Sequence, residues 1–159
     1  MTQKQILLTY EGFEKLEKEL EHLKTFRRTD VAQKLKEARA QGDLSENAEY
    51  DAAKDEQAEI EARIAEIEKM FRNMVLIEHD GNAEVTAIKP GCHVKLYDYG
   101  YDEEVEYMIV GSTEADPVKG KISNESLVGA ALIGRKKDDE IVVETDFRQQ
   151  KYKILEISI

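Results

Sequence analysis

No tryptophan occurs in this sequence, and aromatic residues make up only 7% of its 159 positions. That is little bulk for one large globular core, but it suits a charged helical element beside a small sheet domain. The single cysteine, Cys92, excludes an internal disulfide and a zinc site built on several thiolates. Such sparing use of cysteine makes the cytoplasm the expected compartment. No apolar run approaches the ~20 residues of a membrane span, so no membrane partner is expected. Met1-Thr2-Gln3-Lys4 does not lead into a signal-peptide pattern. Positive charge is also short: the net charge is −11. A protein that grips nucleic acid unaided is usually basic. If this one works near nucleic acid, a partner protein must supply most of the phosphate contacts.

Catalytic signatures are missing too. His22, His79 and His93 stand apart, none with a second ligand at metal spacing. Cys92 and His93 are adjacent on a strand pattern and point to opposite faces. A structural role is the preferred reading for all four. There is no P-loop, no G-x-S-x-G turn and no Rossmann fingerprint. A self-contained enzyme is therefore not expected.

What the chain has is charge, 36% of its residues, laid out on helical periods. After the short apolar run Ile6-Leu7-Leu8, Thr9 can cap a helix with Glu11 and Gly12 in its first turn. Phe13, Leu16, Leu20 and Leu23 follow at alternating steps of three and four, a narrow heptad stripe. The stripe weakens from Phe26 to Asp30, the place for a stutter or a kink, and resumes at Val31, Leu35 and Ala38. A second stripe runs through Ala53, Gln57, Ile60, Ile64, Ile67, Phe71 and Met74. Near its start it is small, with Ala48, Ala52 and Ala53 allowing close backbone approach. Two heptad helices joined by a short turn make an antiparallel hairpin. About 30 residues per arm gives a rod on the order of 45 Å. A two-helix piece of a larger bundle is the competing reading. The narrow stripe, which can bury against one neighbour only, favours a coiled coil.

The turn between the arms is Gly42-Asp43-Leu44-Ser45-Glu46-Asn47-Ala48-Glu49-Tyr50. Gly42 breaks the first helical pattern. Asp43 can cap the second, with Glu46 at capping-box spacing. On spacing alone the capping reading is the simpler one. The other is a pair of carboxylates displayed at the end of a rod. Two carboxylates hold Mg²⁺ only in part, because the ion demands a full octahedron of oxygens, so something else would have to complete such a site. Behind the turn, Lys24, Arg27, Arg28, Lys34, Lys36 and Arg39 form a basic stretch, while the second arm is acidic. This is either a solvated face with cross-hairpin pairs or a patch that steers the rod toward a nucleic-acid strand.

His79-Asp80-Gly81-Asn82 reads as a turn-rich linker, dividing residues 1–78 from 79–159. Beyond it the period becomes two. Residues 92–97, 104–110, 140–144 and 152–157 alternate as strands of a mostly antiparallel sheet. Residues 126–133 fit a short helix ending at Gly134, with Ser126 or Asn124 as cap. A helical hairpin followed by a sheet with one short helix is an α+β chain.

The tip and its flanks resemble the bacterial Gre transcript-cleavage factors, GreA-like more than GreB-like. The residues that carry the resemblance are Glu37-Ala38-Arg39, Gly42 through Tyr50 and Ala52-Ala53-Lys54. In the second half they are Ile109-Val110-Gly111, Glu114-Ala115-Asp116, Lys121-Ile122-Ser123 and Ala131-Leu132-Ile133-Gly134. The resemblance implies a coiled coil followed by a domain similar to FK506-binding proteins. It implies a monomer that docks on RNA polymerase by its second domain and sends the coiled coil into the secondary channel. There Asp43 and Glu46 would share a Mg²⁺ with polymerase carboxylates and help position the water that cleaves backtracked RNA. The chain alone would bind no cofactor. Arg27, Arg28, Arg39 and Lys54 would contact the RNA 3′ end. Leu44, Ser45, Asn47 and Tyr50 would shape the tip against the polymerase, and Ser126 belongs to the docking region.

Two departures from the family pattern bear on docking. Leu127 follows Ser126 where the family usually has proline, and Asp146 to Gln150 replaces a Pro-Gly turn. Two other activities compete with cleavage stimulation. One is a channel-binding regulator that inhibits polymerase without cleavage; the tip lacks the extra acidic cluster of such relatives. The other is a peptidyl-prolyl isomerase based on the second domain, ranked last because no aromatics cluster into a proline pocket and fold does not confer activity.

Overall fold

The computed structural model describes residues 4–42, 47–78 and 85–159. Asp43, Leu44, Ser45 and Glu46, and the linker from His79 to Asn82, lie outside the described residues. The chain divides into two compact units, residues 13–73 and residues 1–12 with 74–159. The segments 1–12 and 74–78, which the sequence periods put with the hairpin, thus group with the sheet.

The helical unit is an antiparallel pair. Its first arm begins with α1 (Tyr10–His22), whose opening residues belong to the sheet unit, and continues through a π-helical stretch (Leu23–Arg27) into α2 (Arg28–Ala40). Thr9 caps α1 as its position predicts, its hydroxyl accepting from the Gly12 amide at 3.0 Å. The π stretch falls where the stripe weakens, and the spacing explains it. Leu23 and Val31 are eight residues apart, one more than a heptad. A π turn absorbs one extra residue, so both halves of the stripe face the same partner. Leu23, Val31, Leu35 and Ala38 are buried on this arm.

The second arm is α3 (Ala48–Arg72). It buries Ala53, Ile60, Ile64, Ile67 and Met70. Full burial of a branched aliphatic side chain contributes roughly 1.5–3 kcal/mol, so this seam is what holds the pair together. Phe13 and Phe71 meet at a ring-centroid distance of 5.3 Å. Of the three alanines near the tip, only Ala53 is buried; Ala48 and Ala52 are exposed.

Two boundaries differ from the sequence reading. The cap of α3 is Asn47, not Asp43, because the Asn47 side chain accepts from the Tyr50 amide. At the other end α3 stops at Arg72, and Met74 belongs to β2 (Met74–Leu76). That strand pairs in parallel with β1 (Ile6–Leu8), the apolar run at the start of the chain.

The main sheet has five strands in the order β5-β4-β3-β7-β6. They are β3 (His93–Asp98), β4 (Glu103–Val110), β5 (Lys121–Ser123), β6 (Glu140–Glu144) and β7 (Gln149–Ser158). All pairings are antiparallel except β4 with β5. Alternation does what period two requires: Ile141 and Val143 are buried between exposed Glu140, Val142 and Glu144. The buried face meets α4 (Leu127–Leu132) through Leu132, among Ile88, Cys92, Leu96, Ile109 and Ile154. Asp98 is buried beside this core, and its carboxylate accepts from the Gly100 and Tyr101 amides at 2.8 and 3.3 Å.

Candidate functional site

The candidate site lies at the end of the hairpin where the last turn of α2 meets the first turn of α3. At the end of α2 the Gln41 amide closes onto the Ala38 carbonyl, and Gly42 takes φ +104°, a conformation suited to glycine. Across from it, the Asn47 amide nitrogen donates to the Ala38 carbonyl at 2.7 Å. Its amide oxygen accepts from the Tyr50 N–H at 3.1 Å. Ala38 and Ala53, 2% and 4% exposed, leave room for the arms to meet here. Asp43 and Glu46 lie in the chain between these two anchors and, with Leu44 and Ser45, outside the described residues.

Tyr50 gathers the nearby positive charge. The Arg39 guanidinium lies 6.0 Å from its ring centroid and the Lys54 ammonium 5.9 Å. Both distances are at the outer reach of a cation–π attraction. None of the ion pairs among the described residues involves Lys36 or Arg39. The rest of the basic stretch is paired across the hairpin. The Arg28 guanidinium takes both oxygens of Glu61, at 2.8 and 2.9 Å. This bond raises the Arg28 pKa and holds the Glu61 carboxyl below its ordinary range. Arg27 and Lys34 share Glu56, at 3.4 and 3.1 Å, and Lys24 meets Glu68 at 2.7 Å. Of the four basic residues that the resemblance sends to RNA, Arg39 and Lys54 lie at the Tyr50 ring in the first turn of α3. Arg27 and Arg28 are paired with Glu56 and Glu61 on the other arm, and no residue type announced that difference in the sequence.

The second candidate region precedes α4. The Ser126 hydroxyl donates to the Ser123 carbonyl at 2.6 Å and accepts from the Gly129 amide at 3.1 Å. Ser126 is thus the helix cap, as its position predicts, and its side chain faces its own backbone. The exposed neighbour is Leu127, 63% accessible at the first helical position. Proline is at home at that position, so leucine there leaves the helix start unchanged. Beside it, Glu125 accepts from the Ser112 hydroxyl at 2.8 Å and pairs with Lys4. Those partners, Lys4 first, hold its carboxyl below its ordinary range.

Among the described residues no three His, Cys, Asp or Glu side chains converge on a metal position. No helix among them is long and apolar enough to cross a membrane.

Residues 6–76 match the family described as transcription elongation factor, N-terminal, and residues 83–159 match transcription elongation factor, GreA/GreB, C-terminal. Transcription elongation factor GreA of Lachnoclostridium phytofermentans is 56% identical over 99% of this chain and 98% of its own. Its namesake in Thermoanaerobacter pseudethanolicus is 55% identical over 97% and 98%. That of Clostridioides difficile is 52% identical over 97% and 96%. Among solved structures, GreA factor homolog 1 of Thermus thermophilus is 29% identical over 98% of this chain and 99% of its own, with a TM-score of 0.44. Two family matches that together span nearly the whole sequence, and relatives above half identity along its length, place this chain in the GreA/GreB family of transcription elongation factors.

Proposed function

We propose that this elongation factor stimulates RNA polymerase to cleave its own backtracked transcript, acting as a monomer in the cytoplasm. The observation that carries the reading is the built end of the hairpin. Two anchored turns flank the segment bearing Asp43 and Glu46, with Arg39 and Lys54 gathered on Tyr50 beside it.

The chemistry of the donor set fits Mg²⁺ in kind and falls short in number. Carboxylate oxygens are the hard ligands this ion takes, and two of them do not complete its octahedron. Asp43 and Glu46 would hold it jointly with carboxylates of the polymerase. When bound, the ion supplies Lewis-acid stabilisation of the phosphodiester and a lowered pKa for the attacking water. The chain's own residues do the rest. Arg39 and Lys54 bring positive charge to the backbone of the extruded RNA 3′ end. Leu44, Ser45 and Tyr50 fill space between the tip and the polymerase. The region before α4, with exposed Leu127 beside Ser126, makes the docking contact.

The test uses a stalled, backtracked polymerase complex with 3′-labelled RNA and Mg²⁺. The full chain should release short 3′ fragments, and Asp43→Asn should abolish release while binding the polymerase as well as the wild type. No release by the wild type, with polymerase binding intact, would make the chain a channel-binding regulator without cleavage activity. Undiminished release by Asp43→Asn would remove the carboxylate from the mechanism.

A further inference from the structure

Asn47 is a helix cap with a second bond. Asp and Ser cap helices about as well as Asn. An ionised Asp, however, offers acceptors alone, whereas the Asn amide carries an acceptor and two donors on one planar group. Here both ends are engaged. The oxygen takes the Tyr50 amide of its own first turn, and the nitrogen reaches nine residues back to Ala38 at 2.7 Å. Only one orientation of the amide satisfies both bonds. The Ala38 carbonyl is one of the last of α2, which has no acceptor role left within its helix except toward Gln41. The same first turn of α3 carries Tyr50, between Arg39 from α2 and Lys54 one turn further along α3.

We infer that Asn47 is a positioning residue for cleavage: its side chain ties the first turn of one arm to the last turn of the other, on either side of the sequence segment that bears Asp43 and Glu46. This rests on the cleavage reading proposed above. It also gives Asn47 a different task from shaping the tip against the polymerase, because its polar atoms are committed inside the hairpin. Positioning of this kind acts on the rate within the complex. A displacement of about 1 Å at a reacting group costs on the order of a hundredfold in rate.

Asn47→Asp separates the tie from the cap. The carboxylate still accepts from the Tyr50 amide, and its charge suits a helix N-terminus. It cannot donate to Ala38. In the backtracked-complex assay, the variant should reach half-saturation at the same concentration as wild type, and it should melt lower than wild type by less than Asn47→Ala does, since it keeps the cap and loses only the tie. Its maximal cleavage rate should fall about tenfold or more. Asn47→Ala should lose both rate and thermal stability. An Asn47→Asp protein that cleaves at the wild-type maximal rate overturns the inference. So does one whose half-saturating concentration rises while its maximal rate holds, since Asn47 would then be a partner contact. Hydrogen exchange of the Asn47 side-chain amide in the uncomplexed chain reads the tie directly. Slow exchange supports it, and exchange at the rate of a solvated amide overturns it. Should the wild type release no fragments, the cleavage reading fails and takes the positioning role with it, while slow exchange would still establish the tie.

Discussion

A methyl group on Gly111 would sit 2.0 Å from the Leu7 carbonyl oxygen. The obstacle is backbone held in the β1–β2 pair, so no side-chain rotation relieves it. Gly42 is the opposite case: among the described residues no atom lies within 4 Å of an added methyl, but its φ is +104°. Gly111→Ala should cost close to the upper end of the roughly 1–3 kcal/mol typical of overpacking. Gly42→Ala should cost about 1–2 kcal/mol, from the left-handed backbone alone. Urea unfolding followed by circular dichroism checks this. Gly111→Ala should lower the midpoint of the sheet unit's transition and leave the helical unit's in place. A wild-type midpoint for Gly111→Ala would mean that β1 does not pack on the end of β4 in solution. Leu127 shows the same logic with a benign result. It departs from the family's proline but occupies a first helical position that accepts either residue, so the fold gives no reason to expect lost stability there.

At the level of elements, the helical arms and the longer strands were legible because their periods are sustained. The stripe from Ala53 to Phe71 and the alternation from Glu140 to Glu144 each repeat often enough to name their own structure. The π stretch was legible as a fault in the heptad, an eight-residue step from Leu23 to Val31, though not as a particular geometry. Strands β1 and β2 were not. Each has three residues, and their partners are 68 positions apart, Ile6 with Met74. Local spacing carries no record of such a pairing. The start of α3 was misread because Asp43 and Asn47 are equally good caps locally, and the bond that distinguishes them goes to Ala38 on the other arm. The same limit hid which arginines are paired. Glu61 and Glu56 meet Arg28 and Arg27 only once the arms have docked.

Those cross-arm pairs make the hairpin acid-sensitive. The Arg63 guanidinium beside Glu19, at 2.6 and 3.0 Å, holds that carboxyl below its ordinary 4.5. Arg28 does the same to Glu61, and Lys24 to Glu68. A carboxyl depressed in the folded state contributes its full stabilisation above its unfolded pKa and loses it as pH falls through the folded value. The helical unit should therefore hold its urea midpoint from neutrality down to about pH 4.5 and lose stability below it. Glu19→Gln should shallow that decline, because one linked proton is gone. A midpoint independent of pH between about 5 and 3 would show that these pairs are too well solvated to matter.

For the whole molecule, the consequence of two separate cores is that one can fail alone. The seam of the helical unit gathers Leu23, Val31, Ile60, Ile64 and Ile67. The sheet unit's core draws on none of them. Ile64 is 3% exposed in mid-seam, and Asp there would bury an unpaired carboxylate, at a cost of several kcal/mol. A narrow two-helix seam has no further layer to absorb it. Ile64→Asp should therefore melt residues 13–73 and leave residues 85–159 folded. Far-ultraviolet circular dichroism should lose most of its helical signal, while the methyl resonances of Ile141, Val143 and Ile154 stay dispersed. Unchanged helix content, or collapse of those methyl signals along with the helix, would contradict the division. The variant also separates docking from chemistry. If polymerase binding resides in the sheet unit, Ile64→Asp should stimulate no cleavage and yet compete with wild-type protein for the backtracked complex. Failure to compete, with the sheet unit still folded, would move the decisive polymerase contacts to the hairpin.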